Sequence, residues 1–221
     1  MAVERTAGGD PRPRLSRERV LEAAIALADA DGIDGLSMRR LAQELGVEAM
    51  SLYHHVSNKD EILNEITDMV VDEVELPPRD EPWKVAIRRT AISAHRSLLR
   101  HRWAASLLLS GTTPNVARLR YMEALLGTLR RAGFSAEMTD HAYHALDSHI
   151  MGFTLWLVGM DLPSDFDALA ASFLERLPRD EFPHLAEHVE QHMKPKPEGE
   201  GEFEFGLDLI LDGLERLRAA S

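Results

Sequence analysis

From Ser16 onward the apolar residues recur at intervals of three and four, and no long stretch alternates with period two. Such spacing marks helices with one buried and one wet face, so the chain is predicted to be all-α. A first helix starts at Ser16, a good N-cap, turns Val20, Leu21, Ala24, Ile25 and Ala28 inward, and stops at Asp31-Gly32. After Ser37 a second helix buries Met38, Leu41, Ala42 and Leu45 and ends at Gly46. A short third helix runs from Glu48 to His54. A fourth begins at Ser57, whose hydroxyl reads as a capping box with Asp60, and Ile62, Leu63, Ile66, Met69 and Val70 form its stripe.

The run Leu76-Pro77-Pro78-Arg79-Asp80-Glu81-Pro82 interrupts the helical pattern, because proline lacks an N–H donor and restricts its neighbour. It divides the chain into a flexible basic arm (1–14), an N-terminal helical domain with the fourth helix (15–75), a linker (76–82) and a larger helical domain (83–221). In that domain helices are predicted at Trp83 to His101, Trp103 to Leu109, Pro114 to Arg131, Ser135 to Asp161, Ser164 to Leu177, Glu181 to Met193 and Phe205 to Ala219. The stretch from Lys194 to Glu202, made of Lys, Pro, Glu and Gly, has nothing to place in a core and reads as mobile.

Composition narrows the function classes. Across 221 residues, 44% hydrophobic and 28% charged content describes a folded globular protein. The absence of cysteine excludes disulfides, iron-sulfur clusters and thiolate zinc sites and suits a cytoplasmic location. Met1 to Arg14 lacks the apolar segment of a signal peptide, and no apolar run approaches a membrane span, so no membrane partner is expected. A net charge of −12 argues against nucleic acid as a partner. Its distribution argues otherwise: Arg12, Arg14, Arg17, Arg19, Arg39, Arg40 and Lys59 gather near the start, while Glu198 to Glu204 is acidic.

The second and third helices, joined at Gly46-Val47, have the spacing of a helix-turn-helix. The third buries Leu52 and Val56 and offers Ser51, Tyr53, His54 and His55, groups that bond phosphates or base edges where a plain surface turn would carry Lys and Glu. With the first helix packed across them, the pair forms the three-helix module whose second motif helix enters the major groove. The N-termini of the second and fourth helices, with free backbone N–H groups, can receive phosphates.

The residues Gly35-Leu36-Ser37-Met38-Arg39-Arg40-Leu41-Ala42-Gln43-Glu44-Leu45-Gly46-Val47, then Leu52-Tyr53-His54-His55-Val56 and Asn58-Lys59, closely resemble the DNA-binding domain of the tetracycline-repressor (TetR) family. Gly133-Phe134-Ser135, Phe153-Thr154-Leu155, Phe205 to Ile210 and Gly213-Leu214-Glu215 resemble the C-terminal domain of its tetracycline-binding members, so the similarity runs from Leu15 to the C-terminus. It implies a ligand-responsive transcriptional regulator, a repressor that binds a pseudo-palindromic operator as a homodimer and is released by a small-molecule effector. It assigns DNA contact to Arg39, Ala49, Met50, Ser51, Tyr53, His54, His55 and Lys59. Chemistry sorts the roles: Arg39 suits guanine, Ala49 and Met50 offer only apolar contact such as to a thymine methyl, and Ser51, Tyr53 and Lys59 suit phosphates. His54 and His55 fit either role, and Tyr53 also reads as half-buried packing. The tetracycline-binding members have Gln and Pro at Ala49 and Met50, so a different operator sequence is expected.

The family positions that hold a magnesium-tetracycline chelate fall on Leu108 or Leu109, on Gly152 and on Met160, and a pocket glutamine falls on Leu125. None of these ligates a metal. The resemblance thus implies no metal or cofactor and a small, apolar ligand other than tetracycline, in a pocket lined by Trp103, Leu109, Leu125, Phe153 and Trp156 with His95, Thr112 and His149 as polar orienters. Each of these also reads as ordinary core. Leu207, Ile210, Leu211, Leu214 and Leu217 of the last helix, with the long helix from Ser135, are the expected dimer elements, because the family builds a four-helix bundle from the two. The fourth helix is the expected lever between pocket and DNA. His184-Leu185-Ala186-Glu187-His188, with His192 one turn on, matches the H-x-x-E-H zinc-protease pattern. Without a remote third ligand it reads as a solvated helix face, and no enzyme is expected. The alternatives are a helical small-molecule-binding protein without operator binding and an H-x-x-E-H metallohydrolase.

Overall fold

A computed structural model describes residues 14–110, 116–160, 166–194 and 201–220. All regular structure among them is helical: α1 (Arg17–Gly35), α2 (Met38–Leu45), α3 (Ala49–Leu52), α4 (Lys59–Asp72), α5 (Trp83–Arg100), α6 (Ala104–Ser110), α7 (Val116–Arg131), α8 (Ala136–Gly159), α9 (Phe166–Arg176), α10 (Pro183–His192) and α11 (Glu202–Ala220). Contacts divide the chain into two units, Met1–Met69 and Val70–Ser221. The basic arm, apart from Arg14, and most of the Lys194 to Glu202 stretch lie outside the described residues.

In the first unit the local signals act where the sequence places them. The Ser16 and Ser37 hydroxyls accept from the N–H groups of Arg19 (3.3 Å) and Arg40 (3.2 Å), satisfying donors that the first helical turn cannot. Gly46 closes α2 in the left-handed conformation (φ 66°), where a side chain would meet steric resistance. Gly32 (φ 73°) breaks α1 at the expected stop, although a further turn continues to Gly35. The cap of α4 differs. Asn58 Oδ1, rather than Ser57, accepts from the Glu61 N–H (2.8 Å), and the Glu61 carboxylate accepts from the Ser57 N–H (2.6 Å). The helix starts one residue later than predicted because asparagine caps as well as serine does. Helix α3 is regular only to Leu52; the next turn tightens, with the His55 N–H donating to the Leu52 carbonyl (2.8 Å). Val20, Ala24, Leu36, Leu41, Leu52, Val56, Ile62 and Ile66 are buried. Leu27 takes the inner place predicted for Ile25, which is half-buried.

The second unit is built around α8, which packs against α5, α7 and α11. Ile87, Leu125, Leu129, Leu146, Ile150, Leu207 and Leu211 lie at the centre of its core. Val71 at the end of α4 and Val74 just beyond it belong to the same core, and the Ser97 hydroxyl donates to the Val70 carbonyl (3.0 Å). The contact division falls inside α4, between Met69 and Val70. Prolines end the helix, but the valines before them carry the apolar surface that joins the second core.

Helix α11 begins at Glu202, ahead of the predicted Phe205, because Phe203 is 2% exposed and extends the buried stripe of Leu207, Leu211 and Leu214 by one turn. Its acidic first turn, Glu202 and Glu204, suits the positive end of the helix dipole. The expected dimer stripe is accordingly split. Leu207, Leu211 and Leu214 face the unit's own core, Ile210 packs partly against it and Leu217 stays exposed, as do Phe205 and Leu209 outside the expected stripe. Arg88 with Asp208 (2.7 Å) and Lys84 with Asp212 and Glu215 (both 2.6 Å) join α5 to α11 at the surface, where such pairs contribute little. Leu207→Ala, which empties a fully buried site, is expected to lower the unfolding free energy by about 2–5 kcal/mol in urea denaturation.

Candidate functional site

The first unit presents the sequence-predicted DNA residues on two helices and the turn after them. Leu52 and Val56 anchor the α3 turn in the core, and around that anchor Arg39, Met50 (74%), Tyr53 (48%) and His54 are exposed. Ala49, Ser51, His55 and Lys59 are half-buried. Tyr53 is thus open rather than packed. The Lys59 ammonium donates to the Ile33 carbonyl (3.0 Å), leaving two of its three donors for other partners.

Part of the N-terminal positive charge is already neutralised. Arg17 binds Glu61 and Glu65 and donates to the His55 carbonyl, tying the start of α1 to α4 and to the turn after α3. The hydrogen bond from Arg17, then that from the Ser57 N–H, holds the Glu61 carboxyl down at about 2. Arg40 pairs with Asp31. Arg39 makes no ion pair among the described residues, so it is the exposed guanidinium of α2 that remains open to an outside anion.

The second unit holds a cavity of about 620 Å³ between α5, α8, α10 and the start of α11. His95, Phe153, Trp156, Phe203, His188 and His192 contribute to its wall, with Glu202 and Glu204 among the polar groups. The His95 imidazole stacks on Phe203 (centroids 3.9 Å apart, planes 8° apart). Phe153 meets Phe203 edge-on at 5.6 Å and Trp156 at 5.6 Å. His95 Nδ1 lies 2.7 Å from the Thr154 hydroxyl, which itself donates to the Ile150 carbonyl (2.6 Å). That hydroxyl's one proton is used, so Nδ1–H is the donor, and burial, which disfavours a second proton on the ring, leaves Nε2 bare. Burial, with 8% of the residue exposed, pushes the His95 pKa down to about 4. Open clefts of about 490 Å³ beside Arg88 and Ile92 and of about 560 Å³ beside Leu169 and Phe173 lie elsewhere in the unit, and a much smaller cavity of about 40 Å³ is lined by Val74, Leu98, Leu108, Tyr121 and Asp147 among others.

Family models match both parts of the chain: one for bacterial regulatory proteins of the tetR family over residues 20–66, and one for the tetracyclin repressor-like C-terminal domain over residues 76–218. The chain belongs to the TetR family. Among TetR-family proteins it is 37% identical over 145 residues to the class D tetracycline repressor of Escherichia coli, a match covering 64% of this chain and 66% of that repressor, slightly under two thirds of its length. It is 31% identical over 224 residues to the transcriptional repressor DrrR1 of Streptomyces coeruleorubidus, covering 95% of this chain and 80% of DrrR1. A crystal structure of the TetR-family protein ActR of Streptomyces coelicolor in complex with actinorhodin is similar in fold, with a TM-score of 0.74 at 30% identity, over 93% of this chain and 99% of that one.

On this TetR-family frame the predicted ligand residues part company. His95, Phe153 and Trp156 meet at the larger cavity, and His149 stands next to it, stacked on Phe203 (4.9 Å) with Nε2 2.9 Å from the Phe203 carbonyl. Leu125 is 2% exposed in the central core. Trp103 is buried against His101, and Leu109 is exposed away from these cavities. Thr112 lies outside the described residues. Sequence reasoning missed Phe203, Thr154, Glu202 and Glu204. The signal for Phe203 was its spacing of four from Leu207, hidden by acidic neighbours; Thr154 gave none. The H-x-x-E-H residues His184, Glu187 and His188 are all exposed; His188 and, one turn on, His192 border the cavity with ring centroids 4.6 Å apart.

Because native His95 binds its proton less tightly than the unfolded chain does, the unfolded state gains protons first on acidification. The contribution of His95 is complete above pH 6.5 and is lost as pH falls toward about 4, a change of about 3 kcal/mol. His95→Gln is expected to flatten that part of the pH–stability curve, read by urea denaturation across this window.

Proposed function

We propose that the chain is a transcriptional repressor that binds a pseudo-palindromic operator as a homodimer and leaves it when a small, apolar ligand other than tetracycline occupies the second unit. The observation that carries this reading is the α2–α3 corner, buried through Leu52 and Val56 and exposing Arg39, Met50, Tyr53 and His54. In this reading Arg39 bonds guanine O6 and N7. Ala49 and Met50 touch thymine methyls, Ser51, Tyr53 and Lys59 hold phosphates, and His54 and His55 border the bases. The repressor DrrR1 and the complex of ActR with actinorhodin support pairing this DNA module with a ligand-binding unit.

The larger cavity is the proposed effector site: clefts of about 490, 560 and 620 Å³ all fall in the range of small-molecule pockets, roughly 300–1,000 Å³, and of these three the last gathers Phe153, Trp156 and Phe203 around the oriented His95. Exposed Phe205, Leu209 and Leu217 on α11 favour burial of this helix against a second copy.

A gel shift on the DNA upstream of the chain's own gene tests the DNA reading. The wild type is expected to retard it in a salt-dependent manner, and Arg39→Ala to bind at least about tenfold more weakly, the loss of one bidentate base contact. Equal binding by the variant, or no retardation at low salt, would refute the assignment. Sedimentation velocity tests the assembly: the wild type is expected as a dimer, and Leu209→Glu with Leu217→Glu as a folded monomer.

A further inference from the structure

The larger cavity carries a chemical specificity that neither the fold nor the family relationship states. His95 reaches it from α5 with one nitrogen already committed: Nδ1–H donates to Thr154, whose own proton goes to Ile150. Nε2, on the other side of the ring, is therefore a lone-pair acceptor, and it bonds to no described residue. The Phe203 ring against one face of the imidazole fixes its plane, and Thr154 fixes its rotation. An acceptor so oriented, open to the cavity on a ring that is otherwise buried, discriminates between ligands that donate a hydrogen bond and ligands that do not.

Two further features constrain the occupant. Phe153, Trp156 and Phe203 give flat apolar faces, and Trp156 is 54% exposed, so it offers its ring to a guest without leaving a packed position. The ionisable groups on the wall are His95, His188, His192 and the carboxylates Glu202 and Glu204; no lysine or arginine lines the cavity among the described residues. Glu202 lies 3.5 Å from His192 Nδ1 and Glu204 feels Arg88 outside the wall, so the carboxylates are partly offset; an anionic guest would still meet them directly, whereas a cation would meet aromatic faces and negative charge.

From this geometry we infer that the cavity takes a flat aromatic ligand, neutral or positively charged, that donates an N–H or O–H hydrogen bond to His95 Nε2. This rests on the reading of the cavity as a ligand site, and it sharpens the expected apolar ligand into one with a single directed polar contact.

Three probes of one ring system separate the requirements in mildly alkaline buffer: aminoacridine, a planar cation with N–H donors; acridine, unprotonated and without a donor; and anthracene carboxylate, a planar anion. In equilibrium dialysis against the full chain, aminoacridine is expected to bind at least about tenfold more tightly than either of the others. His95→Phe keeps a ring on Phe203 but removes the acceptor; it is expected to weaken aminoacridine about tenfold and leave acridine unchanged. Equal binding of aminoacridine and acridine, tighter binding of the anion, no binding of any probe, or a folded His95→Phe protein that binds aminoacridine like wild type would each overturn the inference. If circular dichroism shows His95→Phe to be unfolded, the wild-type ranking of the probes decides. Gel retardation with aminoacridine present is scored separately. Tight, His95-dependent binding without DNA release would count against the effector role and uphold the ligand class.

Discussion

Helix α4 is one uninterrupted run of backbone hydrogen bonds from Lys59 to Asp72, and its buried side chains serve two cores. Ile62 and Ile66 are buried in the first unit, and Val70 and Val71 in the second. A helix of this length is stiff along its axis because each turn is bonded to the next. Its start is capped by Asn58, whose Oδ1 accepts from the Glu61 N–H. Arg17 clamps that end, since it holds Glu61 and Glu65 on α4 together with the His55 carbonyl after α3.

Charge follows the same economy. The chain as a whole is acidic, with a net charge of −12, which opposes binding to a polyanion. Within the first unit Arg17 and Arg40 are spent on internal carboxylates, and their work is to fix the geometry of the helices rather than to attract DNA. Arg39 and the remaining donors of Lys59 form a small, localised contribution.

The helices were legible in the sequence because their signals are local. Ser16, Ser37, Gly32 and Gly46 act through neighbours three or four residues away, and the buried stripes follow helical spacing. The exceptions came where two local signals competed, as at Ser57 and Asn58, or where polar neighbours hid a core residue, as with Phe203 between Glu202 and Glu204. The cavity was only half legible. His95, Phe153 and Trp156 stood out as aromatic or imidazole groups on apolar helices, but the wall is assembled from α5, α8, α10 and α11, which lie far apart in the chain. No spacing rule reports that Thr154 turns the imidazole or that Leu109 faces away. Likewise the periodicity of α11 identified one apolar stripe where there are two, an inner one through Leu207 and an outer one through Leu209.

The central claim, that the α2–α3 corner reads DNA from a symmetric dimer, is tested most directly by selecting bound duplexes from a random pool with the full-length protein. The account predicts enrichment of two inverted half-sites whose centres lie about one helical turn apart, roughly 10 base pairs. Enrichment of a single unpaired half-site, or no enrichment above the starting pool, would contradict it.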